Sequence, residues 1–350
     1  MSLGLLGIAL ALLTLATAPD VDSPRRFEAV ETHMGSEFRI ILYSPDEASA
    51  RRACRAAFDR IATLDRSFSD YDPESELMRL CDKAGSEPVA VSADLFDILE
   101  RSRSMFERSE GTFDVTIGPV VRLWRRARRD RKMPSDENLA RARALVSSDL
   151  MSLDPKARTV RLAKKGMKLD LGGIAKGYAA EEAIRVLKRD GVASALVAGA
   201  GDIVVSAAPP GRDGWIIAIA PLDLDDAKTE RHLSLHDAAV STSGDAERYV
   251  EIDGKRYSHI VDPKTGLGVV DRSSVTVVAP DGATADALDT AVYCLGPERG
   301  LRLVEATEGA AAVIARRGPN GLEFHESKRF SAFSTIREKR DEAPAIRISP

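Results

Sequence analysis

The spacing of apolar residues predicts two amphipathic helices in the first third of the chain. Apolar side chains recur every three to four positions over residues 46–68 and again over residues 92–111. This is the period of one helical face. Ser92 suits the N-cap of the second helix, and Gly111 suits its end.

Short runs rich in branched and aromatic residues predict strands. They cover residues 38–44, 159–163, 167–171, 195–207 (two strands), 215–220, 238–244, and a final hairpin at 309–317 and 321–327. A third helix is predicted over residues 282–307, with a break at Gly296 and Pro297. Because several strands follow one another directly, we expect an α+β fold with mixed and antiparallel sheets and packed helices. Residues 31–336 are interpreted as a single large domain.

Composition and charge narrow the class of protein. The chain has 350 residues, of which 44% are hydrophobic and 30% are charged, as in soluble globular enzymes. The net charge is −4 and the pI is about 5.9, so we expect no nucleic-acid partner. Cys54, Cys81 and Cys294 are far apart and form no zinc motif. They are expected to be small buried side chains.

Both ends of the chain differ from the middle. Residues 1–19 carry no charge and contain an Ala-Thr-Ala pattern before Pro19, which predicts a secretory signal peptide or membrane anchor. The alternative is an apolar tail on a cytoplasmic protein. From the predicted signal peptide or anchor, we expect export to the periplasm or to the outer side of an inner membrane. Residues 20–30 are interpreted as a linker, and the polar residues 337–350 as a flexible tail.

One glycine pair marks a candidate ligand site. The segment "KLDLGGIAKGYAAEEAIRVLKRDG", residues 168–191, predicts a strand, a turn at Gly172 and Gly173, and a helix. The free N–H groups of a helix start suit a phosphate, and Lys176 adds a positive charge. The segment lacks the spacing of a phosphate loop or of a dinucleotide fingerprint. A tight turn that packs a strand on a helix remains an equal alternative.

Oxygen ligands recur on one face of the third predicted helix. Asp286 and Thr290 are four residues apart, with Asp289 close by. Carboxylate and hydroxyl oxygens suit a hard cation such as Mg²⁺. The alternative is a helix N-terminus, where Asp is favoured electrostatically.

His259 is the strongest candidate for a general base. It precedes the turn "DPKTG" of residues 262–266, and imidazole accepts a proton near neutral pH. A structural histidine is the alternative. The polar stretch Ser241–Tyr249 is a candidate ligand loop. The arginine-rich residues 122–132 are interpreted as a solvated face.

Seven segments, taken together and in order, resemble the ApbE family, the FAD:protein FMN transferases. They are "HMGSEF", "SDYDPESEL", "GTFDVTIGPVVRLW", "LDLGGIAKGYAA", "STSGDAERY", "SHIVDPKTG" and "ADALDT". The likeness extends from about Thr32 to Gly318 and implies an ApbE-like, T-fold-like domain. It also implies FAD as substrate, Mg²⁺ as cofactor, and transfer of FMN to a Thr or Ser hydroxyl of a target protein with release of AMP.

The resemblance implies a flavin pocket made by two parts of the chain. Met34 and Tyr71 are expected to contact the flavin part of FAD. Thr112, Phe113 and Asp114, which follow the end of the second predicted helix, are expected to line the same pocket.

The resemblance also implies the nucleotide and metal contacts. Asp170 and Lys176 are expected to contact the nucleotide. The carbonyl of Gly173 and the side chains of Asp286 and Thr290 are expected to ligate the metal.

The predicted mechanism uses a base beside the reacting phosphate. His259 lies in the segment near that phosphate, and Ile260 is expected to give a backbone contact. The sequence departs from the family pattern at Ala198 and Ala200, where asparagine and glycine are usual. We expect an exported flavin transferase that acts on a redox-complex subunit, with possible membrane association through its N-terminus. The alternatives are an FAD pyrophosphatase, or a flavin-binding module without activity.

Overall fold

The computed structural model describes residues 24–219, 222, 231–244, 249–318, 321–335 and 346–348. The predicted signal peptide or anchor over residues 1–19 lies outside this part of the chain. Within the described ranges, no helix combines the length and apolar character needed to cross a membrane.

The described residues form seven α-helices. They are α1 (Glu47–Phe68), α2 (Glu76–Asp82), α3 (Ala93–Arg108), α4 (Gly118–Asp130), α5 (Asp136–Arg143), α6 (Ala175–Arg189) and α7 (Gly282–Glu305). The three helices predicted from periodicity are α1, α3 and α7. Ser92 is the N-cap of α3 and accepts a hydrogen bond from the Leu95 N–H, as predicted. The predicted break in α7 is a non-helical residue at Gly296.

Seventeen strands complete the described fold. They are β1 (Arg25–His33), β2 (Ser36–Ser44), β3 (Val89–Ala90), β4 (Met151–Asp154), β5 (Thr159–Leu162), β6 (Ala195–Gly199), β7 (Asp202–Val205), β8 (Trp215–Ile219), β9 (Arg231–Leu235), β10 (Ala238–Gly244), β11 (Tyr249–Ile252), β12 (Lys255–Ser258), β13 (Ser273–Ala279), β14 (Ala311–Gly318), β15 (Gly321–Glu326), β16 (Ser334–Thr335) and β17 (Ile346–Ile348).

The largest sheet has eight strands in the order β1-β2-β6-β7-β10-β13-β14-β15. Every pair in it is antiparallel. A four-stranded sheet has the order β16-β9-β8-β17, and β17 pairs with β8 in parallel. The expected α+β fold with mixed and antiparallel sheets is therefore confirmed.

The eight-stranded sheet is covered on both faces. Phe38, Ile40 and Leu42 of β2 join the core with the helices α1, α6 and α7, whereas Ile41 points to the opposite face. There it packs with residues of β8 and β9, among them Ile217. Because a strand buried on both faces needs apolar residues on both, β2 reads as a nearly continuous apolar run.

Two sequence-based assignments are wrong. Strand β1 begins at Arg25, inside the predicted linker of residues 20–30, and pairs with β2 over nine residues. The sequence pattern did not predict this strand because many of its residues are charged. These residues form ion pairs along the sheet edge, as Arg26 does with Glu28. Residues 167–171 form a single bridge, between Lys168 and Ile117, instead of a strand. Strand β17 lies within residues 337–350, and the other residues of that segment lie outside the described part of the chain, so the flexible tail stays a prediction.

Candidate functional site

The site forms where α6 and α7 cross in direct backbone contact. A Cβ added at Gly177 would lie 2.1 Å from the carbonyl oxygen of Gly282. No side chain fits at such a distance, so glycine is required for this crossing. The Gly177 N–H donates to Asp286 Oδ2 over 3.0 Å. The first turns of both helices are thereby held together.

Three buried carboxylates surround one ammonium at this crossing. Asp202 of β7 and Asp286 of α7 are each 3% exposed, and Asp289 is fully buried. Lys176 Nζ lies 3.2 Å from Asp202 Oδ2. Three carboxylates and one ammonium leave two negative charges uncompensated when all four groups are ionised. Buried charge of this kind is costly without a further cation or proton.

Ser241 of β10 links two of these carboxylates. Its Oγ lies 2.6 Å from both Asp202 Oδ1 and Asp289 Oδ2, and Ser243 donates to Asp289 over 3.0 Å. Ser241 and Asp202 are direct partners in the β7–β10 register. Because a hydroxyl has one proton, Ser241 can donate to only one of the two carboxylates at a time.

The pKa values in this group reflect the same excess of negative charge. Burial and the neighbouring Asp202 raise the pKa of Asp286 to about 7. Burial, Asp286 and Asp202 also raise the pKa of Asp289 well above its usual range. Burial lowers the pKa of Lys176, but the nearby carboxylates outweigh burial and raise it overall. Lys176 therefore stays charged, whereas burial and the neighbouring carboxylates favour the protonated forms of Asp286 and Asp289.

The predicted metal donors converge here. A methyl group added at Gly173 would lie 3.0 Å from Thr290 Oγ1, so the glycine turn touches the helix face that carries Asp286. Among the described residues, no group of three His, Cys, Asp or Glu side chains has the arrangement of a metal site. The predicted donor set of the Asp286 carboxylate, the Thr290 hydroxyl and the Gly173 carbonyl therefore stays a prediction. Oxygen donors beside uncompensated carboxylates fit a hard divalent cation.

Asp170 is held at the start of the glycine turn. Its Oδ1 accepts the Gly172 N–H over 2.8 Å, and its Oδ2 accepts from Arg125 Nη2 over 2.9 Å. Arg125 also pairs with Asp70. Burial and the Asp70 charge raise the pKa of Asp170, and Arg125 opposes this shift. The Arg125 side chain is partly buried, which corrects the interpretation of residues 122–132 as a solvated face.

The two residues expected at the flavin lie on loops. Tyr71 is 77% exposed, and the Arg125 guanidinium lies 4.2 Å from its ring centroid. Met34 lies in the turn between β1 and β2 with φ of 50°, and its N–H donates to Asp65 over 2.8 Å. Both loops are fastened to helices, and both flavin contacts stay predictions.

The segment after α3 is largely buried. Thr112 and Phe113 are each about 5% exposed or less, and Phe113 Cε2 would lie 3.4 Å from a Cβ at Gly173. Asp114 accepts hydrogen bonds from both the N–H and the hydroxyl of Thr116 and of Ser148. Burial raises the pKa of Asp114, and these donors oppose the shift. Its carboxylate therefore fastens the loop, and Phe113 is the member that touches the glycine turn.

The predicted base lies directly after β12. His259 is partly buried, and Ile260 is 9% exposed, with its N–H donating to Ser258 Oγ over 3.1 Å. The following turn is held by Trp124, whose Nε1 donates to the Gly266 carbonyl over 2.8 Å. The turn is thereby fixed to α4, and the role of His259 as a base stays a prediction.

The structure brings together Gly173, Lys176, Asp286 and Thr290, which belong to two distant segments of the sequence. Sequence reasoning missed the roles of Asp202, Ser241 and Arg125. A predicted pairing of β7 with β10 could have revealed Asp202 and Ser241, because a buried Asp requires a hydrogen-bond donor from the neighbouring strand. Arg125 gave no such signal, because its run of arginines is typical of an exposed helix.

The chain is similar to characterised proteins over most of its length. The model of the ApbE family matches residues 34–314. A relative from Vibrio cholerae named FAD:protein FMN transferase is 31% identical over 307 residues, covering 86% of this chain and 90% of the relative. One of the same name from Treponema pallidum is 33% identical, covering 83% and 84%.

Solved structures agree in fold. The flavin transferase ApbE from Vibrio cholerae has a TM-score of 0.80 at 27% identity, covering 89% of this chain and 99% of that one. The apo flavinyl transferase ApbE of Pseudomonas stutzeri also has a TM-score of 0.80, at 29% identity, covering 91% and 100%. The family match, the identities and the shared fold agree, and the chain belongs to the ApbE family.

Proposed function

We propose that this protein transfers FMN from FAD to a Thr or Ser hydroxyl of a target protein and requires Mg²⁺. In this reaction the hydroxyl oxygen bonds to the FMN phosphorus, the pyrophosphate P–O bond breaks, and AMP leaves while the hydroxyl proton passes to a base. The observation that carries the proposal is the buried oxygen-donor group at the α6–α7 crossing. Membership of a family whose curated members are named FAD:protein FMN transferase supports it.

The Gly173 carbonyl, Asp286 and Thr290 would hold the cation, which would offset the carboxylate charge there and supply electrostatic stabilisation to the phosphoryl oxygens. Lys176 adds a fixed positive charge for the phosphates, because its own carboxylate neighbours keep it protonated. Asp289 accepts from Ser241 and Ser243 and holds β10 against α7.

The remaining residues bind the flavin and move the proton. Tyr71 and Met34 contact the isoalloxazine, and Phe113 supports the glycine turn. Asp170 orients the turn through the Gly172 N–H. His259 takes the proton of the target hydroxyl, and Ile260 gives a backbone contact to the nucleotide.

One experiment separates this activity from its rivals. The protein is mixed with FAD, Mg²⁺ and an acceptor domain that carries a flavinylation threonine, and both protein-bound flavin fluorescence and free AMP are measured. Transfer gives both products in equal amounts. AMP without labelled protein would identify an FAD pyrophosphatase, and neither product would leave a flavin-binding module. An acceptor with the threonine replaced by valine is the matched control.

The place of action is the outside of the cytoplasmic membrane. The uncharged residues 1–19 with their Ala-Thr-Ala pattern support export. The acceptor is then an exported or membrane-bound subunit of a redox complex. Fractionation of cells that produce the full chain tests this, because recovery in the cytoplasm alone would contradict it.

A further inference from the structure

Arg125 of α4 joins two parts of the candidate site. Its guanidinium pairs with Asp70 and with Asp170 Oδ2 and lies 4.2 Å from the centroid of the Tyr71 ring. Its side chain is 25% exposed. Arg129, one turn later on α4, is 74% exposed and pairs with the adjacent Asp130. Two residues of the same type on one helix therefore have different environments.

The contacts of Arg125 connect separate segments. Asp70 and Tyr71 belong to the loop between α1 and α2, and Asp170 begins the glycine turn more than ninety residues later. The carboxylates of Asp70 and Asp170 are each 12% exposed. Two such carboxylates repel each other without a cation between them. The guanidinium fork suits this position because it can bind two carboxylates at once.

Arg125 restrains the Tyr71 ring, although this ring is exposed to solvent. An aromatic side chain that is 77% exposed is free to change rotamer unless something restrains it. Arg125 stacks on one face of the ring, which leaves the other face open. A planar ligand can stack on that open face without first having to order the ring, and such pre-organisation strengthens binding.

We propose that Arg125 is a positioning residue that fixes the Tyr71 loop to the Asp170 turn, so that the ring is ready to stack on the flavin of FAD. The inference rests on the proposed function for the identity of the ligand. It assigns to Arg125 no contact with the reacting atoms. Its effect is therefore expected on FAD affinity and on loop mobility, with little effect on the chemical step.

The test compares Arg125→Met with Arg129→Met. Methionine removes the charge and the fork in both variants while keeping a long side chain. We expect Arg125→Met to weaken FAD binding about tenfold, the size of one lost charge-assisted hydrogen bond. The kcat at saturating FAD should stay within about twofold. Arg129→Met should match the parent protein in both measurements.

Hydrogen exchange on the ligand-free protein gives a readout that does not depend on FAD. Amides of residues 69–75 should exchange faster in Arg125→Met than in the parent protein or in Arg129→Met. Arg125→Lys retains the charge but cannot bind two carboxylates as a fork. We expect intermediate exchange and intermediate affinity for it. This variant also decides the question if Arg125→Met has a lowered melting temperature.

The outcomes are distinct. Unchanged FAD affinity or unchanged exchange in Arg125→Met overturns the positioning role. A large loss of kcat with normal FAD affinity also overturns it and indicates a catalytic role. If the parent protein itself fails to bind FAD, the proposed function fails. In that case exchange over residues 69–75 still decides whether Arg125 holds the loop.

Discussion

The proposed cation end of the site and its proposed flavin end are built in different ways. At the cation end, Asp286 and Lys176 are carried by the first turns of two helices whose backbones touch. At the flavin end, Tyr71 and Met34 lie on loops, where Arg125 contacts the Tyr71 ring and the Met34 N–H donates to Asp65. Buried charges need fixed partners, whereas a ring that stacks on a flat ligand needs only the correct orientation. The cation end should therefore tolerate change far less than the flavin end.

The largest expected effect is at Asp286. We expect Asp286→Asn to abolish Mg²⁺-dependent FMN transfer, because the change removes a charged oxygen ligand from a site worth several kcal/mol of transition-state stabilisation. Weak FAD binding should persist through the flavin end. Glu298→Gln, on the same helix but 90% exposed, is the matched control. Normal turnover of Asp286→Asn at limiting Mg²⁺ would remove Asp286 from the metal site.

The next largest effect is at His259, which tests whether catalysis depends on a loop. A general base contributes about 10²–10⁴-fold, so His259→Asn should slow single-turnover transfer by a factor in that range with FAD affinity unchanged. The parent protein should lose rate toward acidic pH as the imidazole is protonated, and the variant should lack this limb. A normal rate with a lowered melting temperature would instead indicate a structural histidine.

A smaller effect is expected at Tyr71. Tyr71→Ala removes an aromatic face worth about 0.5–1.5 kcal/mol beyond its area burial, so the Kd for FAD should rise about tenfold. The chemical step at saturating FAD should be nearly unchanged. Fluorescence titration measures the Kd, with Phe324→Ala, an exposed aromatic residue of β15 outside the predicted pocket, as the control. An unchanged Kd would exclude Tyr71 from the flavin pocket.

Thr290→Val tests the neutral ligand of the cation end. The substitution keeps the branched shape and removes the hydroxyl. We expect the Mg²⁺ concentration for half-maximal transfer to rise several-fold, with the rate at saturating Mg²⁺ less affected. A Mg²⁺ titration of transfer measures this. An unchanged requirement would leave the Gly173 carbonyl and Asp286 as the predicted protein ligands.

The smallest effect concerns stability and its dependence on pH. The pKa of Asp286 is raised to about 7 from about 3.9 in an unfolded chain. The metal-free folded state therefore binds this proton more tightly. The resulting stability is fully present below about pH 4 and is lost as the pH rises through about 7. Asp289 shifts in the same direction.

Mg²⁺ binds the deprotonated carboxylates. We therefore expect Mg²⁺ to raise the melting temperature by a few degrees at pH 8 and by less at pH 5.5. Differential scanning fluorimetry checks this, and Asp286→Asn should reduce the difference. An equal Mg²⁺ effect at both pH values would contradict the assignment of the cation to this carboxylate.

The sequence predicted the elements better than the contacts between them. The helices α1, α3 and α7 and the hairpin of β14 and β15 follow from local periodicity, which does not depend on distant residues. Strand β1 was missed because its charged residues pair across the sheet edge, and such pairing becomes visible only in three dimensions. Residues 167–171 have strand-like composition, but Asp170 turns the chain there by binding the Gly172 N–H.

The residues of the candidate site also differ in whether the sequence alone could identify them. Asp286 and Thr290 could be recognised because their spacing places them on one helical face. Asp202 could not, because its importance comes from Lys176 and Ser241, which belong to other elements. Arg125 likewise becomes distinct from Arg129 only when Asp70 and Asp170 are seen on either side of it.

The backbone contact between Gly177 and Gly282 sets the distance between α6 and α7 at the candidate site. The helices meet at a distance fixed by two missing side chains, and Asp286 lies one turn from that contact. A larger ion would have to separate α6 from α7, and this separation would weaken the packing between the two helices. Since Ca²⁺ needs longer oxygen distances than Mg²⁺, we expect the smaller ion to be preferred. The preference of the proposed cation site for Mg²⁺ over Ca²⁺ would then depend on Gly177 and Gly282, two residues without a side chain.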